Sequence, residues 1–229
     1  VQESIVQGYK IISSSKEQGH SSGVGLILAK EAQCAMLSYN PVSDRIISAR
    51  FQMATGFAAP CQVYAPTADS SEEDIDKFYL DLQQEINRTQ KEDLLIIMGD
   101  FNAKVGIGDV DSRQVMGKFG IGQRNDRGER LIDFCYTNDL FITNTAFKQS
   151  KFNRSWMWES PGATTHNQID YILVSKKWMG SVQNSRSYPS ADCGSDHQLV
   201  MAGIKLKLKA KKTPAKIRKI NIEKLKTGR

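Results

Sequence analysis

The feature that most constrains this chain is a run of five apolar residues, Leu94-Leu95-Ile96-Ile97-Met98, set between Asp93 and Gly99. Five residues are too few for a helix of their own, and without polar alternation neither face of a strand here meets water. The run predicts a central strand covered on both faces. Two amphipathic helices are candidates for one cover. In the first, Ser71 reads as an N-cap and Glu72, Glu73 and Asp74 suit the positive end of the helix dipole. Ile75, Phe78, Tyr79, Leu82 and Ile86 then recur at helical spacing. The second begins near Asn125 or Asp126, with Glu129 placed to complete a capping box and Leu131, Phe134 and Cys135 facing inward. Stretches bounded by turn residues predict further strands at Tyr9–Ser13, Val24–Leu28, Arg45–Phe51, Ala59–Tyr64, Leu140–Thr143, Arg154–Trp158, Gln168–Val174 and Gln198–Leu208. In the last, Ile204, Leu206 and Leu208 alternate with Lys205 and Lys207, giving one buried and one wet face. The pattern is an α/β body with sheet in the majority.

With 229 residues, 40% of them apolar and 24% charged, the chain is long enough for one large domain with its own core. Wholesale disorder, a collagen-like fibre and a disulfide miniprotein are excluded. No apolar run approaches the roughly 18 residues of a membrane helix, so no membrane partner is expected. The net charge of +6 is unevenly spread. Residues 205–229 carry eleven Lys or Arg and one Glu, whereas the body before them has a net charge of −4. We divide the chain into a body, 1–208, and a basic tail, 209–229, which is either a linker or a phosphate-binding arm whose contacts would include Lys209, Lys211 and Lys212. Cys34, Cys61, Cys135 and Cys193 show no paired spacing, and with three histidines they offer no zinc framework. They read as reduced thiols of an intracellular protein.

Three short constellations carry possible chemistry. Gly99-Asp100-Phe101-Asn102 follows the apolar strand, where a rim loop could present a carboxylate and an amide to one ligand. There Asp100 could orient or deprotonate a water and Asn102 donate to an anionic oxygen, although Gly-Asp after a strand also makes a plain turn. Asp170 stands inside the otherwise apolar Ile169-Asp170-Tyr171-Ile172-Leu173. It is either paired, because a buried lone charge is costly, or turned to solvent by strand alternation. In Gly194-Ser195-Asp196-His197 the adjacent acid and imidazole diverge in extended chain. They suit different partners, Asp196 a metal and His197 a phosphate oxygen or a distant carboxylate.

Taken in order, Gln62-Val63-Tyr64-Ala65-Pro66, Gly99-Asp100-Phe101-Asn102, Gln168-Ile169-Asp170-Tyr171 and Ser195-Asp196-His197 resemble the exonuclease-endonuclease-phosphatase superfamily. The strings VYAPT, GDFNAKVG, GERLIDFC, NQIDYIL and ADCGSDH are similar to the apurinic-endonuclease-like endonuclease domain of RTE/BovB-type non-LTR retrotransposons, over residues 8–209. The resemblance implies two packed, mainly antiparallel sheets flanked by helices. It implies a Mg²⁺-dependent (Mn²⁺ as alternative) endonuclease that nicks one strand of double-stranded DNA, as in target-primed reverse transcription. Asp100 would activate the water, Asn102 hold the scissile phosphate and Tyr64 contact the phosphate or assist the leaving oxygen. Asp170 would orient His197, while Asp196, with Asp100 and Asn102, would hold the ion. A nuclear, monomeric protein with fused domains follows from the same resemblance. The rival readings are a domesticated, catalytically weak binding or chromatin-associated module, and a phosphatase of the same superfamily.

Two departures from that pattern stand out. The family begins with strands ending in an Asn and a metal-binding Glu; here Glu3 is the one early acidic residue before Gly23 apart from Glu17, and it is not assigned as a ligand. The resemblance therefore implies first strands ahead of Val1, and weak ion binding and slow nicking by the 229 residues alone. Where relatives carry Thr before a tryptophan, this chain has Met157 before Trp158, and so lacks a hydroxyl that could support the site.

Overall fold

The structure is a computed structural model that describes residues 1–16, 22–67, 69–150, 154–159, 166–189, 191 and 194–205. In chain order its elements are β1 (Gln2–Val6), β2 (Tyr9–Ser15), β3 (Gly23–Leu28), α1 (Lys30–Ala35), β4 (Met36–Pro41), β5 (Ile46–Gln52), β6 (Phe57–Tyr64), α2 (Glu72–Arg88) and β7 (Leu94–Asp100). There follow α3 (Asp126–Thr137), β8 (Leu140–Ile142), β9 (Trp158–Glu159), β10 (His166–Asn167), β11 (Asp170–Ser175), β12 (Val182–Tyr188) and β13 (Leu199–Ile204).

Six strands form the main sheet in the order β4-β5-β6-β7-β11-β8. Every neighbouring pair is antiparallel except β6–β7, which is parallel because α2 carries the chain back across the sheet. The central strand is indeed covered on both faces. Leu95 and Ile97 join Phe78, Leu82, Leu131 and Cys135 in a core beneath α2 and α3. Leu94, with Ile96 and Met98 packed alongside, belongs to a second core with Ile12, Leu26, Phe51 and Val174. The second layer consists of the sheet β1-β2-β3 and the ribbon β12-β13. No helix among the described residues is long and apolar enough to cross a membrane.

The helices start as their sequences direct. The Ser71 hydroxyl accepts from the Asp74 N–H at 3.2 Å, and Ile75, Phe78, Tyr79 and Leu82 are buried. Asn125 caps α3, accepting from Gly128 N–H at 2.9 Å. That choice of cap sets Glu129 one residue too far along for a capping box; its carboxylate pairs with Arg124 at 3.0 Å instead. Of the expected strand at Arg154–Trp158 only Trp158 is in a strand, the two-residue β9, and the last strand spans Leu199–Ile204. Leu206, Lys207, Leu208 and the tail residues Lys209, Lys211 and Lys212 lie outside the described residues, as does Cys193. Cys61 and Cys135 are buried thiols, and burial pushes both well above the ordinary thiol range, which suits inert packing rather than chemistry.

Strand β12 escapes any reading by apolar pattern because, after Val182 at its start, its buried positions are Ser185 and Ser187, both fully enclosed. Burial of a hydroxyl is tolerable when it is hydrogen-bonded. The Thr143 hydroxyl meets the Ser185 hydroxyl at 2.8 Å and donates to the Ile172 carbonyl at 2.7 Å, tying β12 to β11.

Candidate active site

Strand alternation explains where the site forms. Along β7, Ile96 and Met98 face the second layer, and Asp100 follows them in the same row at the strand's carboxyl end. In the β7–β11 register Asp100 stands directly opposite Asp170, and in the β6–β7 register it is the partner of Tyr64. Tyr64, Asp100 and Asp170 thus form one transverse row on three adjacent strands. The turn that carries His197 reaches this row from the second layer. Its Nδ1 lies 2.9 Å from Asp170 Oδ2, with both side chains only partly exposed.

Gly99 makes the row possible. Its φ of +144° suits glycine, and a Cβ there would stand 1.9 Å from the Val63 carbonyl oxygen, so no side chain fits between β6 and β7. Beyond it the chain turns sharply. Asn102 adopts a left-handed φ of +48°, its N–H donates to Asp100 Oδ1 at 2.8 Å, and its side-chain Nδ2 donates to the Ala65 carbonyl at 2.9 Å. Asn tolerates this conformation better than most residues. The amide has a second N–H, so the bond to Ala65 leaves one donor for a substrate oxygen.

The electrostatics are those of crowded acid groups. Burial, reinforced by the facing Asp170 charge, raises the Asp100 carboxyl to about 6. The hydrogen bond with Asp170 raises His197 above its ordinary value against the opposing effect of burial. Among the described residues, no Lys or Arg pairs with Asp100, Asp170 or Asp196, so three carboxylates face one imidazole. One ligand atom each from Asp100, Asp170 and His197 lies within 4.8 Å of the others. A surplus of carboxylate oxygens at this spacing fits a hard divalent cation. The geometric cluster shares Asp100 with the ligand set expected from sequence, and brings in Asp170 and His197 where that set had Asn102 and Asp196.

Asp196 occupies the rim, where the Trp158 indole N–H donates to its Oδ2 at 3.0 Å. Trp158 also forms an antiparallel bridge with His197, and Gln198 N–H donates to the Met157 carbonyl at 2.6 Å. Met157 itself is fully buried. Glu3 is engaged elsewhere, with Lys10 at 2.8 Å and the Tyr39 hydroxyl.

Three supporting residues gave no readable sign in the sequence. Arg45 Nη1 donates to the Tyr64 carbonyl at 3.3 Å and its guanidinium lies 5.2 Å from the centre of the Tyr64 ring. Asn144, buried in the short 3-10 turn Thr143–Thr145, accepts from Ile172 N–H at 2.9 Å and donates to the Asp170 carbonyl at 3.3 Å. Thr143 supports the Ile172 carbonyl of the same strand. A Thr-Asn-Thr run after a strand reads as a loop, and only its burial reveals the bracket.

The chain matches the endonuclease-reverse transcriptase family over residues 60–201. It belongs to that family. Craniofacial development protein 2 from Bos taurus and from Tragulus javanicus are each 45% identical to it over 188 residues, which is 82% of this chain. Those residues make up 31% and 32% of the two relatives, so the chain spans about a third of their length. Among solved structures, the endonuclease domain of TRAS1, a telomere-specific non-LTR retrotransposon, matches with a TM-score of 0.63 at 16% identity, covering 88% of this chain and 82% of that one. The catalytic domain of Xenopus laevis APE2 matches with a TM-score of 0.69 at 18% identity, covering 91% and 79%. These likenesses show the fold, an α/β body with two main sheets of the apurinic-endonuclease type. The family is the one that the four ordered motifs indicate.

Proposed function

We propose that this domain is a Mg²⁺-dependent DNA endonuclease that hydrolyses one phosphodiester and nicks one strand of a duplex. The observation that carries the reading is the Tyr64–Asp100–Asp170 row with His197 bonded to its end. Asp100, facing Asp170 across the strand pair, accepts the proton of an attacking water. Asp170 holds the imidazole by Nδ1 and favours its charged form, leaving Nε2–H for a non-bridging phosphate oxygen. The free Asn102 amide hydrogen and the Tyr64 phenol approach the phosphate from the adjoining strand ends. Asp100, Asp170 and Asp196, with the Asn102 amide, are the residues that would hold the ion. When bound, it supplies charge neutralisation on the phosphate and the leaving oxygen. Lys209, Lys211 and Lys212 add phosphate contacts from the tail, in keeping with a nuclear protein acting on DNA.

Supercoiled-plasmid nicking by the protein expressed from its complete gene tests this reading. Single-strand nicks that need Mg²⁺ or Mn²⁺ and stop with EDTA are expected. Tight DNA binding with no cleavage under any divalent ion would overturn it in favour of a binding module.

A further inference from the structure

The turn Gly194–Gln198 must hold two adjacent side chains in divergent directions, yet Gly194, Ser195 and Asp196 are all exposed. An exposed turn keeps such geometry only where specific bonds hold it. His197 has one in Asp170. Asp196 has one in the Trp158 indole, whose N–H donates to its Oδ2. The same tryptophan meets the turn through its backbone, by the bridge to His197, while its predecessor Met157 accepts from Gln198.

We propose that Trp158 is the positioning residue of this turn, holding one oxygen of Asp196 so that the other is presented to the cation or to its bound water. The inference rests on the metal-dependent reading above. An indole suits the task because it is a donor only: it anchors a carboxylate by a charge-assisted bond and cannot compete with it as a ligand. It also moves about only two side-chain torsions, so little freedom is lost in fixing the carboxylate. Misplacement by about 1 Å of a group at a reacting centre can cost on the order of 10²-fold in rate.

The test uses Trp158→Phe, which keeps an aromatic ring and removes the donor, and Asp196→Ala, which removes the acceptor from the exposed side of the same bond. In the metal-free full chain, amide exchange at residues 195–198 should quicken about tenfold in Trp158→Phe, by loss of a bond worth roughly one decade in the opening equilibrium. Mn²⁺ titrations followed by the spin-resonance signal of the free ion should show each single variant binding several-fold more weakly than wild type. The double variant should be no weaker than Asp196→Ala alone, because the two act through one bond. Nicking should lose kcat with KM for DNA unchanged. Unchanged exchange in Trp158→Phe, or fully additive losses in Mn²⁺ affinity, overturns the proposal whatever the enzyme's activity. If Trp158→Phe does not fold, quickened exchange at 195–198 in Asp196→Ala supports the clamp and unchanged exchange overturns it. A wild-type protein that binds no Mn²⁺ refutes the metal-dependent reading, and with it the metal-facing role of Trp158, even where exchange has quickened.

Discussion

Asp100 and Asp170 are direct cross-strand partners in the antiparallel pair β7–β11, two acids facing each other at the end of a strand pair whose other partners are apolar or glycine. Like charges placed opposite one another destabilise a sheet. The arrangement persists because His197 binds one of them, Asn102 N–H the other, and Asn144 pins the backbone of β11 beneath.

That crowding sets the response to pH. Asp100 sits at about 6, above its ordinary 3.8, so the folded protein holds this proton more tightly than the unfolded chain does. Stability therefore falls as pH rises from about 4 through about 6. His197 is also raised; its contribution is full below its unfolded value of 6.5 and is lost as pH rises through the higher folded value. Both effects have the same sign. The melting temperature of the metal-free domain should decline between about pH 5 and pH 8, and Asp100→Asn should flatten the curve and add roughly 1–3 kcal/mol at pH 7.

The same substitution should abolish function while it stabilises. Asp100→Asn and His197→Ala are each expected to slow plasmid nicking by about 10²-fold or more, the usual cost of losing one preorganised group. Wild-type rates in both would remove these residues from the mechanism.

Gly99→Ala should be among the most damaging small changes, costing upwards of about 3 kcal/mol, since its Cβ would overlap the Val63 carbonyl. Gly56→Ala is the contrast. It shares a positive φ, but no atom lies within 4 Å of the added carbon, so a loss nearer 1 kcal/mol is expected from denaturant melts.

Asn144→Ala would strand the buried Ile172 N–H and loosen the Asp170 carbonyl. A loss of about 2–4 kcal/mol should accompany a fall in nicking larger than unfolding explains at low temperature. Activity preserved in a well-folded variant would show that β11 holds Asp170 unaided.

Truncation after Leu208 should weaken duplex binding and flatten the slope of log K against log salt, without altering sequence preference, because lysines on such a tail reach phosphates rather than base edges. An unchanged slope would make the tail a linker.

The sequence alone determined the local decisions, because they depend on neighbours a few residues apart. Ser71 and Asn125 start the two long helices, and the apolar face of α2 is legible in Ile75, Phe78, Tyr79 and Leu82. Leu94–Met98 reads as a strand enclosed on both faces, and the four ordered motifs contain Tyr64, Asp100, Asp170 and His197, which the fold brings together. Tertiary structure decided what depends on register and burial between distant segments. Nothing local says that residue 170 will stand opposite residue 100, 70 positions earlier in the chain. Most of β12 and the Thr143–Asn144 bracket were hidden for one reason: the buried side chains of Ser185, Thr143 and Asn144 are polar, satisfied by partners about 28 to 42 residues away, and read as loop until those partners are in place. The hold of Trp158 on Asp196 spans 38 residues and is likewise a product of the fold, since an indole N–H chooses its acceptor only once packing has brought the two together.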